Sequence, residues 1–253
     1  MNTQAPQFSA HLAQTDQDLQ AAQRLRYDVF VRELGGGGGQ VDHENGLEKD
    51  RFDPFFDHLL LRDEARHGAV IGVYRLLPGT RAETAGGFYS EAEYDLDPLR
   101  RSGRNLLELG RSCLHPEYRG GSAMFYLWQA LAAYVAEREI EILFGVASFH
   151  GTDINALAHP LSHLSYRHSA PEALRVRARE YQPMALLAEP EVDRKRAMIE
   201  TPALIKAYLR LGGCVGDGAY VDHAFNTTDV CLIMDTARMN ERQKSLYTKG
   251  VVG

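Results

Sequence analysis

The middle of the chain alternates apolar strand patterns with amphipathic helix patterns, and this succession limits the possible folds more than any other feature. Asn105 to Leu114 (NLLELGRSCL) has the pattern of a central strand, and Ser122 begins a helix whose apolar side chains share one face. Those side chains are Met124, Leu127, Trp128, Leu131 and Val135. The run IEILFGVASF is a second buried strand, and Thr152 or Asp153 is expected to cap the next helix. Residues 105–167 thus predict strand, helix, strand, helix, which implies a parallel or mixed sheet with a right-handed crossover.

The amino-terminal part adds a strand, a helix and a hairpin. Phe8, Ala10 and Leu12 alternate with polar residues, which predicts a short first strand. Thr15 or Asp16 can cap the following helix, whose apolar stripe consists of Leu19, Ala22, Leu25, Val29 and Phe30. The runs DHLLLRDEA and AVIGVYRLL, joined by Ala65-Arg66-His67-Gly68, predict an antiparallel hairpin.

Glycine and proline mark a loop and a late helix. Five glycines in a row, Gly35 to Gly39, predict a mobile loop, either a tolerated surface linker or a segment that orders when ligand binds. Thr201-Pro202 begins the helix ALIKAYLRL, which ends at Gly212-Gly213. Val230 to Met234 is a last strand. No clear linker interrupts the chain, so we expect one domain over residues 1–253 with a carboxy-terminal extension from about 185.

Charge and composition argue against several classes of function. The 28 Lys and Arg against 34 Asp and Glu give a net charge of -6, unlike a general nucleic-acid-binding protein. No apolar run approaches the ~18 residues of a membrane span. The start of the sequence lacks the basic and apolar regions of a signal peptide. Three widely spaced cysteines, without a CxxC motif, favour a cytoplasmic chain with reduced thiols.

A glycine-containing loop precedes the central helix. Arg119, Gly120, Gly121 and Ser122 lie where backbone N–H groups and the helix dipole favour an anion. The glycines let a ligand approach the backbone, and Arg119 adds a positive charge. Many strand–helix turns contain glycine for turn geometry alone, so the loop by itself leaves both interpretations open.

The strand, the Arg-Gly-Gly loop, the amphipathic helix and the strand ending in Ala-Ser together resemble the acyl-donor motif of the GNAT N-acyltransferases. The resemblance implies an α/β (α+β) fold: a mixed, mostly antiparallel twisted sheet with splayed central strands, flanked by helices. Counted from Arg119, Ser122 stands where that motif has glycine and Met124 stands at its last position. This departure fits a donor carried on acyl carrier protein, which brings one phosphodiester, better than coenzyme A.

Four further motifs are similar, in order, to those of the acyl-homoserine-lactone synthases. They are Arg26-Tyr27-Asp28-Val29-Phe30, the stretch EKDRFD from Glu48 to Asp53, the run GVYRLLPGT from Gly72, and Glu108-Leu109-Gly110-Arg111. A closer resemblance, over roughly residues 24 to 235, is to the ornithine N-acyltransferases of ornithine-lipid synthesis, often labelled hemolysin-like. It extends through LELGRSCLHPEYRGG, FGVASFHGTD and PALIKAYLRLGGCVGDGAYVDHAFNTTDVCLIMD. The activity implied is transfer of a 3-hydroxyacyl chain from acyl carrier protein to the α-amine of ornithine, giving a lyso-ornithine lipid. No permanently bound cofactor is implied, because the donor is the phosphopantetheine thioester of the carrier.

Thioester aminolysis needs a base, an oxyanion stabiliser and a proton for the leaving thiolate. Glu108 is the candidate base, with a core ion pair to Arg111 as the alternative. A bulge, as the resemblance implies for this strand, would bring both side chains to one face. Backbone N–H groups near Cys113 and Leu114 would then polarise the thioester carbonyl. Direct transfer is the usual route in the resembled superfamily, so an acylated Cys113 is the lesser alternative.

The acceptor must be held at both ends if it is ornithine. Arg75 or Arg111 suits its carboxylate, and Asp50 and Asp53 suit its side-chain ammonium, unless EKDRFD is only a solvated loop. Ser148 is a hydroxyl near the end of the next strand, assigned to the donor side. Tyr166 lies in the helix where many GNAT enzymes keep a tyrosine that protonates the thiolate, with a packed tyrosine as the alternative.

Basic residues concentrate late in this acidic chain. Arg175, Arg177 and Arg179 alternate, so an extended segment would present them on one face. Arg194, Lys195 and Arg196 follow. The partners that fit are acyl carrier protein or the anionic inner membrane, so we expect a cytoplasmic enzyme with peripheral membrane contact; a solvated face is the alternative. His159 and His163 lack a third ligand at a sensible spacing, and no metal is expected.

Two other functions stay open at this point. An acyl-homoserine-lactone synthase would need S-adenosylmethionine as acceptor, and the region beyond residue 185 counts against it. A non-catalytic GNAT-fold module would bind acyl carrier protein or lipid and leave the thioester intact. A pore-forming hemolysin is disfavoured, because no apolar or amphipathic span is long enough.

Overall fold

The computed structural model describes residues 5–37 and 41–239 and divides them into two compact units. The first unit comprises residues 5–37, 41–85 and Leu109–Glu139, and the second comprises Gly86–Glu108 and residues 140–239. Gly38 and Gly39 of the predicted mobile loop lie outside the described residues, as do the first four residues of the start that lacks a signal-peptide pattern. The single domain over 1–253 with an extension from about 185 stays a prediction.

The first unit contains three complete strands, part of a fourth, and three helices. The strands are β1 (Phe8–Leu12), β2 (Asp57–Asp63), β3 (Ala69–Pro78) and the carboxy-terminal part of β5 (Leu106–Leu114). The helices are α1 (Asp16–Arg26), which continues as a π-helical stretch over Tyr27–Glu33, then α2 (Gly79–Ala82) and α4 (Ala123–Glu137). This confirms the predicted first strand, amphipathic helix and antiparallel hairpin of β2 and β3.

The second unit contains the start of β5, six further strands and four helices. The strands are β4 (Tyr94–Asp95), β6 (Ile142–His150), β7 (Arg177–Ala178), β8 (Cys214–Val215), β9 (Tyr220–Asp222) and β10 (Thr227–Asp235). The helices are α3 (Asp97–Arg101), α5 (Ala158–Arg167), α6 (Arg194–Glu200) and α7 (Ala203–Arg210). None of the described helices has both the length and the apolar character that crossing a bilayer requires.

Eight strands form one hydrogen-bonded sheet in the order β1-β2-β3-β5-β6-β10-β8, with β9 also paired to β10. The β5–β6 pair is parallel, and the other registers described in this sheet are antiparallel. Strand, α4 and strand thus form the predicted crossover unit, and the mixed, mostly antiparallel fold class is confirmed. The parallel ladder joins Leu106–Glu108 to Ile142–Phe144, and both strands continue beyond it. The splaying of these strands stays a prediction.

Helix α1 starts and packs as its sequence dictates. The Thr15 side chain accepts a hydrogen bond from Asp18 N, and the Asp18 carboxylate accepts one from Thr15 N in return. This reciprocal cap satisfies N–H groups that the first turn leaves without helical partners. The buried stripe of the helix packs in one core cluster with Leu60, Val73 and Cys113. The helix therefore lies against β2, β3 and β5, and the last two of these strands carry residues of the candidate site.

The predicted cap of α5 at Thr152 or Asp153 is wrong. The helix starts at Ala158, with Leu157 at its cap position. The Asp153 carboxylate instead accepts hydrogen bonds from the N–H groups of Asn155 and Ala156 in a turn before the helix. An aspartate caps the N–H groups of a turn as readily as those of a helix, which explains the error.

Candidate active site

A buried arginine from α1 organises the candidate site in the first unit. Arg26 is fully buried, and its guanidinium bonds both oxygens of Asp53, at 2.8 Å from Nη1 and 3.3 Å from Nη2. Its Nε donates to Glu48. Gln23, one turn earlier, donates to Asp53 Oδ2 at 2.9 Å. A buried charge is tolerated only when it is paired, so these contacts fix the loop before β2 onto α1.

Arg75 of β3 is the second buried arginine of this cluster. Its Nη1 lies 2.7 Å from Asp50 Oδ2 and 2.9 Å from Asp53 Oδ1. The guanidinium carbon is 4.3 Å from the centre of the Phe56 ring, a cation–π contact. Arg75 and Asp53, both predicted to bind the acceptor, are thus brought together and paired with each other inside the protein.

Arg111 of β5 completes the cluster at its exposed side. Its Nε lies 3.1 Å from Glu48 Oε1, and its Nη2 lies 3.9 Å from Asp50 Oδ2. The Arg111 and Asp50 side chains are 16% and 17% exposed, whereas Glu48 is 2% exposed. A ligand can therefore meet Asp50 and Arg111 more readily than the other members of the cluster.

The backbone at Arg111 is distorted. Its φ of +50° lies in the left-handed region, which a strand residue with a Cβ rarely adopts. Such conformations cost roughly 1–3 kcal/mol and persist where surrounding contacts hold them, often at active sites. The distortion interrupts the regular alternation of β5 between Glu108 and Cys113, where the family resemblance implied a bulge.

Nearby positive charge keeps two acidic members of the cluster, Asp53 and Glu48, ionised. Burial by itself raises the pKa of Asp53, but the nearby Arg26 and Arg75 outweigh it and hold that pKa well below its ordinary range. Burial also raises the pKa of Glu48, but the positive charges of Arg111 and Arg26 outweigh this effect and lower that pKa. With three arginines and three carboxylates, the cluster can present both a cation and an anion to a zwitterionic ligand.

Sequence reasoning missed Arg26, Glu48 and Gln23 as members of this site. The signal for Arg26 was its position, because it lies four residues after Ala22 and three before Val29, on the apolar face of α1. A charged residue on a buried helix face requires a partner. Glu48 lies in the acidic stretch that already supplied Asp50 and Asp53.

The predicted donor loop joins the end of β5 to α4. The Arg119 guanidinium makes two contacts to Glu33, at 2.5 and 2.7 Å, and its Nε donates to the Leu114 carbonyl at 3.2 Å. These hydrogen bonds are the main reason that the pKa of Glu33 is lowered. Arg119 thus lies beside the loop, and the Glu33 carboxylate occupies the position on its guanidinium where an anionic donor group would bind.

The glycines of this loop leave space above the backbone. Gly120 has a φ of +76°, and a Cβ added there would meet no atom within 4 Å. A Cβ on Gly121 would only touch the Tyr118 carbonyl, at 3.8 Å. Ser122 is the cap residue of α4 but makes no side-chain capping hydrogen bond. The first turn of this fifteen-residue helix therefore retains the features of an anion site that the sequence suggested.

Cys113 and Leu114 lie on β5 and are buried. Burial raises the pKa of the Cys113 thiol to about 12; the negative charge of Glu48 adds to this effect, and the positive charges of Arg26 and Arg119 oppose it. A thiol with that pKa is not a thiolate at neutral pH, so it is a poor nucleophile. Because these charges act on the thiol, Cys113 lies near both the arginine cluster and the donor loop.

Glu108 belongs to the second unit and is 1% exposed. Its Oε1 accepts hydrogen bonds from Ser90 N and Ser90 Oγ, both at 2.6 Å, and its Oε2 accepts one from Tyr89 N at 2.8 Å. The carboxylate thus fixes the turn at Tyr89 and Ser90. Its role as general base stays a prediction.

Ser148 and Tyr166 also belong to the second unit. Ser148 is an exposed residue of β6, opposite Asp229 of β10. Tyr166 in α5 is 40% exposed, and its hydroxyl donates to the Leu187 carbonyl at 3.0 Å. Their assignments to the donor and to thiolate protonation stay predictions.

The alternating arginines of the second unit have internal contacts. Arg175 Nε and Arg179 Nε donate to the carbonyls of Ala170 and Glu91, both at 2.7 Å. Arg177 pairs with Asp217 and stacks on the Tyr181 ring. A docking face formed by these three arginines stays a prediction.

One group of described acidic side chains is arranged closely enough to offer ligands to a metal ion. Carboxylate oxygens of Glu93, Asp222 and Asp229 lie within 4.8 Å of one another in the second unit. Glu93 and Asp229 are buried, and Asp222 is partly exposed. His159, by contrast, accepts a hydrogen bond from Asp193 N at 3.2 Å through Nδ1.

The sequence of this chain matches one protein family and several curated proteins. The family model described as an acetyltransferase (GNAT) domain matches residues 25–129. The chain is 58% identical to the L-ornithine N(alpha)-acyltransferase of Rhodobacter capsulatus, over 97% of this chain and 96% of that protein. It is 43% identical to the enzyme of the same name from Brucella abortus, over 95% of this chain and 88% of that protein.

Solved structures share the fold at low sequence identity. FeeM, an N-acyl amino acid synthase from uncultured soil microbes, matches with a TM-score of 0.56 and 12% identity, over 97% of this chain and 98% of that one. The AHL synthase LasI matches with a TM-score of 0.51 and 16% identity, over 98% of both chains. At these identities the likeness supports the fold alone.

Proposed function

We propose that this chain, which belongs to the L-ornithine N(alpha)-acyltransferase family, transfers a 3-hydroxyacyl group from acyl carrier protein to the α-amine of ornithine, giving a lyso-ornithine lipid. The chain is an acyltransferase by family. The structural observation that carries the proposed acceptor is the exposed side of the buried cluster, where Asp50 and Arg111 lie beside each other.

Asp50 and Arg111 offer the two charges that ornithine requires. The planar guanidinium of Arg111 suits the α-carboxylate, and Asp50 suits the side-chain ammonium. Arg75 and Asp53 were also predicted to bind the acceptor; their burial and mutual pairing support a role in holding Asp50 and Arg26 in place. Arg26 and Glu48 would likewise position Arg111.

The donor half of the proposal uses the loop after β5. The phosphodiester of a phosphopantetheine arm would bind at Gly120, Gly121 and Ser122, with Arg119 turning from Glu33 to the phosphate. Arg119 is linked to β5 through the Leu114 carbonyl, which supports a thioester lying along that strand. Backbone N–H groups near Cys113 and Leu114 are the proposed oxyanion donors. Ser148 is retained as a donor contact.

The proposed reaction is direct aminolysis. The neutral α-amine attacks the thioester carbonyl carbon, the C–N bond forms, and the C–S bond breaks as the tetrahedral intermediate collapses. Glu108 would take the proton that the nitrogen loses, and Tyr166 would return a proton to the thiolate, leaving free carrier thiol. The raised pKa of Cys113 supports this route over an acyl-cysteine intermediate.

The partners follow from the proposed donor and product. Acyl carrier protein is acidic, so we propose that it docks on basic residues, with Arg175, Arg177 and Arg179 as the predicted face. The acylated product is an amphiphile, which fits an enzyme on the cytoplasmic side of the inner membrane in peripheral contact with the bilayer.

The test is an acyl-transfer assay with purified protein. Incubation with 3-hydroxyacyl carrier protein and ornithine should release free carrier thiol and form the lyso-lipid. Lysine, spermidine and S-adenosylmethionine serve as alternative acceptors. Turnover with S-adenosylmethionine would indicate an acyl-homoserine-lactone synthase. If the protein binds the acyl carrier protein but releases no thiol with any of these acceptors, it is a non-catalytic binding module and the proposal is refuted.

A further inference from the structure

Helix α6 of the second unit exposes large apolar side chains. Ile199 is 68% exposed and Met198 is 42% exposed, whereas Ala197 is fully buried. Ile199 is the most exposed of the large apolar residues that the structure describes. Single exposed apolar residues are common, whereas Met198 and Ile199 are adjacent and together form a small apolar patch on one short helix.

Two basic residues lie one helical turn before these two apolar residues. Arg194 is four residues before Met198, and Lys195 is four residues before Ile199, so each basic side chain shares a side of the helix with an apolar one. Both are exposed, and neither forms an ion pair with another described residue. Arg196, the third basic residue, is paired with Glu200 at 2.6 Å.

The acidic residues nearest in sequence are engaged elsewhere. The Asp193 carboxylate caps the helix by accepting a hydrogen bond from Arg196 N at 3.0 Å. Glu189 pairs with Arg167 at 2.6 Å. The Glu191 carboxylate accepts a hydrogen bond from Ala188 N at 3.1 Å. None of these three carboxylates forms an ion pair with Arg194 or Lys195, so both cationic groups remain able to contact an anion.

The helix is held firmly while its outer side is exposed. Ala197 packs inward, and α6 lies against α5. Lys206 of α7 donates from Nζ to the Met198 carbonyl at 3.0 Å, which satisfies a carbonyl at the end of α6. The exposed pair is thus displayed by a fixed element.

We infer that the patch formed by Arg194, Lys195, Met198 and Ile199 contacts an anionic lipid bilayer. Basic side chains attract acidic headgroups, and apolar side chains beside them enter the boundary between headgroups and acyl chains. A bilayer accepts Ile199 and Met198 without a matching pocket, which a protein partner would have to supply. The inference gives the proposed membrane contact a definite surface and does not depend on which amine is acylated.

The test is co-sedimentation of the full chain with vesicles. One set contains phosphatidylcholine alone, and the other contains equal parts of phosphatidylcholine and phosphatidylglycerol. We expect binding to the anionic set, reduced by added salt. Arg194→Glu with Lys195→Glu should lower the partition coefficient at least ~25-fold, and Ile199→Ser about tenfold.

Matched controls separate the patch from general charge and apolarity. Arg32→Glu with Arg101→Glu changes the net charge equally at residues that are 67% and 79% exposed, and Leu34→Ser removes a 44% exposed apolar side chain. These variants should bind vesicles like the wild type. Thermal unfolding checks that every variant is folded.

Acyl transfer in vesicle-free buffer should be unchanged in the patch variants, so a failed membrane inference and a failed acyltransferase proposal give different results. Equal binding to neutral and anionic vesicles would overturn the inference. It would also be overturned if the patch variants bound vesicles normally but lost affinity for acyl carrier protein, which would assign the patch to that protein.

Discussion

Arg111 Nε lies 3.1 Å from Glu48 Oε1, so the residue of β5 with a left-handed backbone is attached to a buried carboxylate. Glu48 is in turn bonded to Arg26 from α1. The contact explains how β5 holds its distortion, because releasing it would leave a buried charge with one partner fewer. Nη2 of the same guanidinium lies 3.9 Å from Asp50 Oδ2, at the exposed side of the cluster.

The first prediction separates the charge of Arg111 from its backbone. Arg111→Gly and Arg111→Ala should both lower kcat/KM for ornithine roughly 100-fold, because each removes a charged hydrogen-bond donor to the carboxylate. Arg111→Gly should be more stable than Arg111→Ala by about 1 kcal/mol, because glycine adopts a φ of +50° without strain. Steady-state kinetics and urea unfolding measure the two effects. An unchanged KM and kcat for ornithine would remove Arg111 from the acceptor site.

The second prediction concerns Asp53 and acid stability. The folded pKa of Asp53 lies below its ordinary value of 3.8, so its contribution is complete above that pH and is lost as the pH falls through the folded pKa. Asp53→Asn should lower the free energy of unfolding at pH 7 by about 3–5 kcal/mol, since Arg26 and Arg75 lose a buried counter-charge. The free energy of unfolding of this variant should also change less as the pH is lowered into the acidic range.

The matched control is Asp28→Asn, which breaks the exposed pair between Asp28 and Arg32. Such pairs contribute less than about 0.5 kcal/mol, so stability should hardly change. A similar loss in both variants, measured by urea unfolding across pH, would contradict the importance given to the buried cluster.

The third prediction tests Glu108 as the base. Glu108→Gln should lower kcat at least ~100-fold and remove the acidic limb of the pH–rate profile. Ser90→Ala removes one hydrogen bond at 2.6 Å but keeps the carboxylate, so it should mainly cost stability, by about 1 kcal/mol. If Glu108→Gln lowers the melting temperature yet retains the shape of the pH profile, the residue only fixes the turn at Tyr89 and Ser90.

The fourth prediction concerns the ion pair at the donor loop. Arg119→Ala should raise KM for the acyl carrier donor about tenfold, because a charged hydrogen bond to phosphate is lost. Glu33→Gln should lower that KM, since it removes the carboxylate that competes with phosphate for Arg119. The KM for ornithine should stay constant in both. If both variants raise the donor KM equally, the pair is structural.

Local chemistry explains which parts of the fold the sequence could predict. The Thr15 cap, the alternation of β1 and the apolar stripe of α1 are set by residues within one or two turns of each other. The prediction of where α5 starts was wrong because Asp153 caps the N–H groups of a turn. Nothing in the local sequence distinguishes that turn from the first turn of a helix. The crossover through α4 was predictable because its two apolar strands flank an amphipathic helix.

The candidate site was predictable only in part. Arg75, Arg111, Asp50 and Asp53 were identified singly, as charges suited to ornithine, yet their pairing with each other and with Arg26 depends on which elements lie side by side. Asp53 meets residues 22 and 27 positions away in sequence. The burial of Arg75, which moves it from ligand contact to support, likewise follows from tertiary packing rather than from any local pattern.

The interleaved route of the chain between the two units has a consequence for synthesis. The first unit lacks its last described helix until residue 139 has been translated, by which time residues 86–108 of the second unit have already been synthesised. No single cleavage or recombination point separates the two units, so a gene fragment ending at residue 85 would encode neither.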